Sequence, residues 1–194
     1  MTQLSPDPLE RLAAGVGDAA TRKGLPPVER WNPPYRGELD MRIAADGTWF
    51  YNGTPIARPA LVKLFSTVLR RDAERFVLVT PVERFGIVVE DAPFVAVESA
   101  VEGVAEAREI AFRTNVDDLV RVGAEHPLRF ERDPNDGIKP YVLVRGGLWA
   151  RLTRALAYDL LDLGEEREVD GRTTFGISVA GTFYPVAPAV ETAA

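Results

Sequence analysis

The chain has 194 residues, no cysteine, one histidine and only three lysines among its 23 basic residues. Without cysteine there is no disulfide framework, no thiol nucleophile and no iron–sulfur cluster, and one imidazole cannot build a Cys/His zinc site. Positive charge is outweighed as well. The 23 Lys and Arg face 29 Asp and Glu, a formal charge of −6, which suits tracking a nucleic-acid polymer poorly. No apolar run approaches the ~18 residues of a membrane span. The first residues, Met1 to Pro8, lack the basic start and apolar stretch of a secretory signal. The expectation is a cytoplasmic protein with neither a nucleic-acid polymer nor a membrane as partner.

What is present can build a core, since 46% of the residues are hydrophobic. That length and composition suit one domain or two small ones. The excess of Arg over Lys has two readings. Arg offers a planar fork for phosphate and carboxylate, and a GC-rich genome yields the same skew with no function behind it.

Along the chain, residues 1–38 read as an N-terminal helix and a Pro-rich strap. Ser5 can cap the helix, and Leu9, Leu12, Ala13 and Val16 share one face. Gly15-Val-Gly17 imitates a dinucleotide-binding glycine motif but follows a helical pattern where that motif needs a strand. Pro26, Pro27, Pro33 and Pro34 force extended backbone, anchored by Trp31 and Tyr35. Residues 39–100 form a first α+β domain, with strands at 39–43, 48–51, 76–80, 86–90 and 94–99 and a helix over 59–71. Residues 101–187 form a second, with strands at 107–113, 126–130 and 140–144, a helix over 148–163 and a closing hairpin. Residues 188–194 read as a loose tail. Asn52-Gly53 and Asp170-Gly171 are two-residue hairpin turns.

The halves share a plan. Trp49-Phe-Tyr-Asn-Gly-Thr-Pro-Ile56 and its helix echo Tyr141-Val-Leu-Val-Arg-Gly-Gly-Leu148 and its helix. The fold class is α+β with internal duplication, each domain a mostly antiparallel sheet with one main helix. A face-to-face pair would leave a seam, a common place for ligands.

Catalytic patterns are weak. Gly176-Ile-Ser178-Val-Ala-Gly181 misses the nucleophile-elbow spacing and leads into a hairpin, where the elbow demands a helix. Asp133-Pro-Asn-Asp-Gly137 opens like a calcium loop, but its twelfth position is Val144. His126 could serve as a base or hydrogen-bond a backbone carbonyl at the start of a strand. No catalytic residue, metal or cofactor is assigned. Polar residues cluster at turns leading out of apolar strands: Arg58, Glu83, Asp91, Asn115, Arg129 and Arg145. Arg145 precedes Gly146-Gly147 and the expected helix, an arrangement suited to an anion.

Several strings together, among them Trp31-Asn-Pro-Pro, Asp46-Gly-Thr-Trp, Leu78-Val-Thr-Pro-Val-Glu83, Val89-Glu-Asp-Ala-Pro-Phe94, Thr114-Asn115, His126-Pro-Leu-Arg-Phe130 and Val144-Arg-Gly-Gly-Leu148, resemble an uncharacterised bacterial family. It is one of the numbered families of unknown function. The resemblance implies a domain duplication whose second domain is superficially pleckstrin-homology-like. It also implies a nucleotide-like ligand at the seam and a role in signal transduction. On this reading the chain is a ligand-binding module. Arg129 and Arg145 engage an anionic group, Trp31 or Trp149 offers an aromatic face, and Asn115, Glu83 and Asp91 read hydroxyls or amines, with Arg58 and His126 also lining the site. Two alternatives stand beside it: a protein-interaction module with no small ligand, and an enzyme using His126 as base.

Overall fold

Apolar residues recurring at every second position make most of the chain strand. The structure, a computed structural model, describes residues 13–14, 24–104, 107–133 and 137–188. The N-terminal helix expected from Ser5 onward lies outside the described residues except for Ala13 and Ala14, which are helical. The tail expected at 188–194 likewise lies outside them beyond Pro188. The chain divides into two compact units, Met1–Pro93 and Phe94–Ala194.

In the first unit a 3-10 turn, Val28–Arg30, interrupts the Pro-rich strap before β1 (Tyr35–Ile43), β2 (Trp49–Tyr51) and β3 (Thr54–Pro55). Helix α1 (Pro59–Thr67) follows, then β4 (Leu69–Asp72), β5 (Arg75–Val79) and β6 (Arg84–Val89). The six strands form one sheet in the order β3-β2-β1-β6-β5-β4. Every neighbouring pair is antiparallel except β1 with β6. Leu39, Met41 and Ile43 alternate inward along β1 and are buried, as are Trp49, Phe65, Leu78 and Phe85 of the same unit.

In the second unit the strands are β7 (Phe94–Glu102), β8 (Glu109–Thr114), β9 (Leu119–Arg121), β10 (Leu128–Arg132), β11 (Ile138–Arg145) and β12 (Leu148–Leu152). Their order is β10-β11-β12-β7-β8-β9. Only β12 with β7 is parallel among these pairs. Read from the other edge, the first sheet has this same order. Two antiparallel three-stranded meanders are joined through their first and last strands. Helix α2 (Arg154–Asp162) then leads to a separate antiparallel sheet of β13 (Glu165–Val169), β14 (Arg172–Val179) and β15 (Thr182–Pro188). The protein is thus an α+β chain of two duplicated, sheet-rich domains.

Four expectations are corrected. The domain boundary placed at residue 100 falls inside β7, which pairs with β8 and β12, so the second unit begins at Phe94. Tyr35 to Glu38, assigned to the strap, already belong to β1. The helix expected over 148–163 starts only at Arg154, where the Thr153 hydroxyl accepts from the Leu156 N–H. Gly146 and Gly147, at φ 48° and 74°, form a two-residue turn that returns the chain antiparallel to β11. The apolar residues Leu148, Ala150 and Leu152 are buried on a period of two, and pairing overrides the helical propensity of Leu-Trp-Ala-Arg-Leu. For the same reason α1 stops at Thr67, because Leu69–Asp72 pair with β5.

The hairpin turns also show a cost. Asn52-Gly53, Asp170-Gly171 and Ala180-Gly181 all place their first residue near φ +50°. Asn and Asp tolerate this left-handed region, whereas alanine is disfavoured there by roughly 1–2 kcal/mol. Ala180 is exposed, so an Asn side chain meets no packing constraint. Ala180→Asn is expected to raise stability by about 0.5–1 kcal/mol. Urea denaturation midpoints measure it, and an unchanged or lower midpoint would contradict the strain argument.

Candidate functional site

Arginine decides how the strap is held. Arg70, on β4, is 6% exposed. Its Nη1 donates to the carbonyls of Val28 and Trp31, both at 2.7 Å. Its Nε and Nη2 grip Asp72 at 2.6 and 2.9 Å. Arg84 adds a contact to the same carboxylate at 3.1 Å. The paired arginines hold the Asp72 carboxyl below its ordinary range, Arg70 being the larger cause, while partial burial opposes them. Trp31 therefore takes part through its carbonyl in a clamp that fastens the strap to the sheet.

The other first-unit candidates lie on connections. Arg58 is the exposed residue before α1. Glu83 closes the β5–β6 turn, its carbonyl accepting from the Thr80 N–H and its own N–H donating to the Thr80 hydroxyl. Asp91 follows β6 and is half-buried.

In the second unit, Asn115 fills a backbone gap. Its N–H donates to the Val95 carbonyl at 2.8 Å and its Oδ1 accepts from the Val95 N–H at 3.0 Å. The amide thus mimics a strand residue and ties the β8–β9 turn to β7. His126 sits where a boundary histidine would, with Nδ1 2.9 Å from the Leu143 carbonyl. Arg145 donates to Asp118 and lies 4.9 Å over the Phe94 ring. The anion site expected there needs a helix N-terminus after Gly147, and the chain enters β12 instead. Ser178, of the elbow-like string, is buried and donates to Glu165, while Arg167 contacts both. That donated bond, reinforced by Arg167 and Arg108, lowers the Glu165 carboxyl from its ordinary range.

Two candidates do come together. The Arg129 guanidinium lies 4.4 Å over the Trp149 ring and 4.8 Å over the Tyr141 ring. Tyr141 faces Arg129 directly in the β10–β11 ladder, and Trp149 faces Leu143 in the next. Three strands thus present the three side chains on one sheet face. Arg129 Nη2 contacts Glu131 at 3.0 Å, and its Nε is buried with no hydrogen-bond partner. Tyr141 was not among the expected residues. Only the register of two strands reveals it, and no local sequence signal sets that register.

The fold and its clamped, arginine-rich surfaces define a duplicated two-domain α+β protein. Family models for the N-terminal and C-terminal domains of DUF1285, a family of unknown function, match residues 26–92 and 93–186, and the chain belongs to that family. A crystal structure of a DUF1285 family protein from Silicibacter pomeroyi DSS-3 is 46% identical, with 96% of this chain and 98% of that one covered and a TM-score of 0.86. Another, from Shewanella baltica OS155, is 26% identical over 64% of this chain and 91% of that one, with a TM-score of 0.49. No curated protein matches.

The Arg70 clamp gives a pH-dependent expectation. Asp72 has a depressed folded pKa, so its contribution is present above the unfolded value of about 3.9 and is lost as pH falls through the folded value. Arg70→Met removes the pair and leaves two strap carbonyls without their donor, which should cost roughly 2–4 kcal/mol at pH 7. The gap between wild type and variant should narrow by pH 3. Denaturation curves at both pH values decide it, and a gap that stays constant or widens would sink the assignment.

Proposed function

We propose that this protein is a cytoplasmic ligand-binding module for an anionic, nucleotide-like molecule, acting in signal transduction, with the Arg129 face of the second unit as its site. The supporting observation is the Arg129 guanidinium, laid over Trp149 and Tyr141 with a buried Nε that makes no hydrogen bond. Aromatic contact limits the rotamers of a long side chain, so less entropy is lost when its fork meets a carboxylate or phosphate. A base can stack on a guanidinium plane or an indole, each stacked base contributing about 1–3 kcal/mol. Among the described residues no helix is long and apolar enough to cross a membrane.

The His126 Nδ1 is engaged by a backbone carbonyl, as in a residue that fixes a strand boundary.

A thermal-shift series with nucleotides tests the proposal. At a ligand concentration about 100 times Kd, binding adds ~2.7 kcal/mol. For a chain of this size Tm should rise by roughly 5–10 °C. Arg129→Ala and Trp149→Ala should each remove most of the shift. No shift across mono-, di- and cyclic nucleotides, or a full shift in both variants, would refute it.

A further inference from the structure

The second unit contains a cavity of about 480 Å³ beside α2. Its size falls within the ~300–1,000 Å³ of small-molecule clefts. One wall is a helical stripe, Arg154, Ala157, Tyr158 and Leu161, spaced i, i+3, i+4 and i+7 so that all four share one face. Opposite them lie Ile138 and Pro140 at the start of β11 and Leu152 at the end of β12. These neighbours are apolar and would hold an apolar body. Among the described residues lining it, Lys139, Arg151 and Arg154 are basic and Asp133 is acidic. Asp133 already pairs with Lys139 at 3.0 Å. Arg154 donates to the Tyr158 hydroxyl at 3.1 Å and lies 5.6 Å over its ring, contacts with a neutral group that leave its charge uncompensated.

We propose that this cavity is a binding site for a small amphipathic anion, a molecule with an apolar or aryl body and one carboxylate or phosphate. The body lies against Ile138, Pro140, Leu152 and Leu161, and the anionic head is met at the rim by Arg154. Tyr158 holds the guanidinium through its hydroxyl and its ring, and a guanidinium favours a charged head over a neutral hydroxyl. None of these residues belongs to the Arg129, Tyr141 and Trp149 group, so the site stands independently of the proposed function.

The test is titration calorimetry of the full chain with four probes: octanoate, octyl phosphate, octanol and inorganic phosphate. One or both of the amphipathic anions should bind with one-to-one stoichiometry, and which binds identifies the head group. Octanol and inorganic phosphate should bind at least tenfold more weakly, each lacking half of the recognised chemistry. Arg154→Ala should weaken the anion about tenfold, and since Arg154 is exposed this variant should retain its melting temperature. Ala157→Trp should fill the cavity and abolish binding. Arg129→Ala should bind like wild type, which separates this site from the one proposed above. The proposal is overturned if none of the probes binds, if octanol matches the anions, or if Arg154→Ala binds the anion at full strength.

Discussion

In each unit the first strand of the sheet pairs in parallel with the last, and the rest of the architecture depends on that pairing. A parallel pair cannot be closed by a tight turn. Here four strands lie between the paired strands in the chain, and in the first unit a helix does as well. Ala150 faces Phe94 and Leu152 faces Ala96. All four are buried, so the cost of closing so long a loop is offset in the best-covered part of the sheet. The pairing also sets direction for the neighbours. With Ala150 turned to the core, Trp149 must face the other way, the side on which Arg129 and Tyr141 stand. Pro140 and Leu152 share the face of Ala150, and there they border the cavity beside α2. One hairpin, β11–β12, thus presents the aromatic group on one face and the apolar floor of the cavity on the other.

Duplication is visible in strand order, while the helices fall at different points of the two units. In the first unit α1 connects the third strand to the fourth. In the second unit that connection is the short segment around Gly123 and His126, closed by two backbone hydrogen bonds between them, and the helix comes after the sixth strand. The sequence echo between 49–56 and 141–148 therefore matched a second-and-third-strand hairpin to a fifth-and-sixth-strand one. The inference of two similar domains holds, although the segments that suggested it are not topological equivalents. Hairpins resemble one another locally, because a short turn flanked by apolar alternation is needed wherever the chain reverses.

Legibility followed how local each cause was. Asn52-Gly53 and Asp170-Gly171 could be read directly, since those residues tolerate left-handed backbone. Ala180 holds the same conformation without any compositional sign of it. Strands with clear alternation, such as β1 and β11, were found within a few residues of their ends. β12 was read as helix because Leu, Ala and Arg favour helices and only its partners, β11 and β7, overrule them. Arg70 was unremarkable in sequence, part of an expected helix. Its role exists only because Val28, Trp31 and Asp72 arrive around it.

The candidate site shows the same division. Polar residues at turns drew attention, and the fold uses several of them for itself. Asn115 supplies a missing strand bond, Glu83 shares a turn with Thr80, and His126 meets a carbonyl. A polar group whose hydrogen-bonding capacity is spent on neighbouring backbone is accounted for by folding, since leaving such backbone unpaired would be costly. Arg129 differs because burial has cost its Nε a water partner and the fold returns none. A guanidinium so placed loses solvation at Nε without full compensation, while its Nη2 reaches Glu131. That imbalance, more than the residue type, distinguishes Arg129 from the other charged residues that the sequence brought forward.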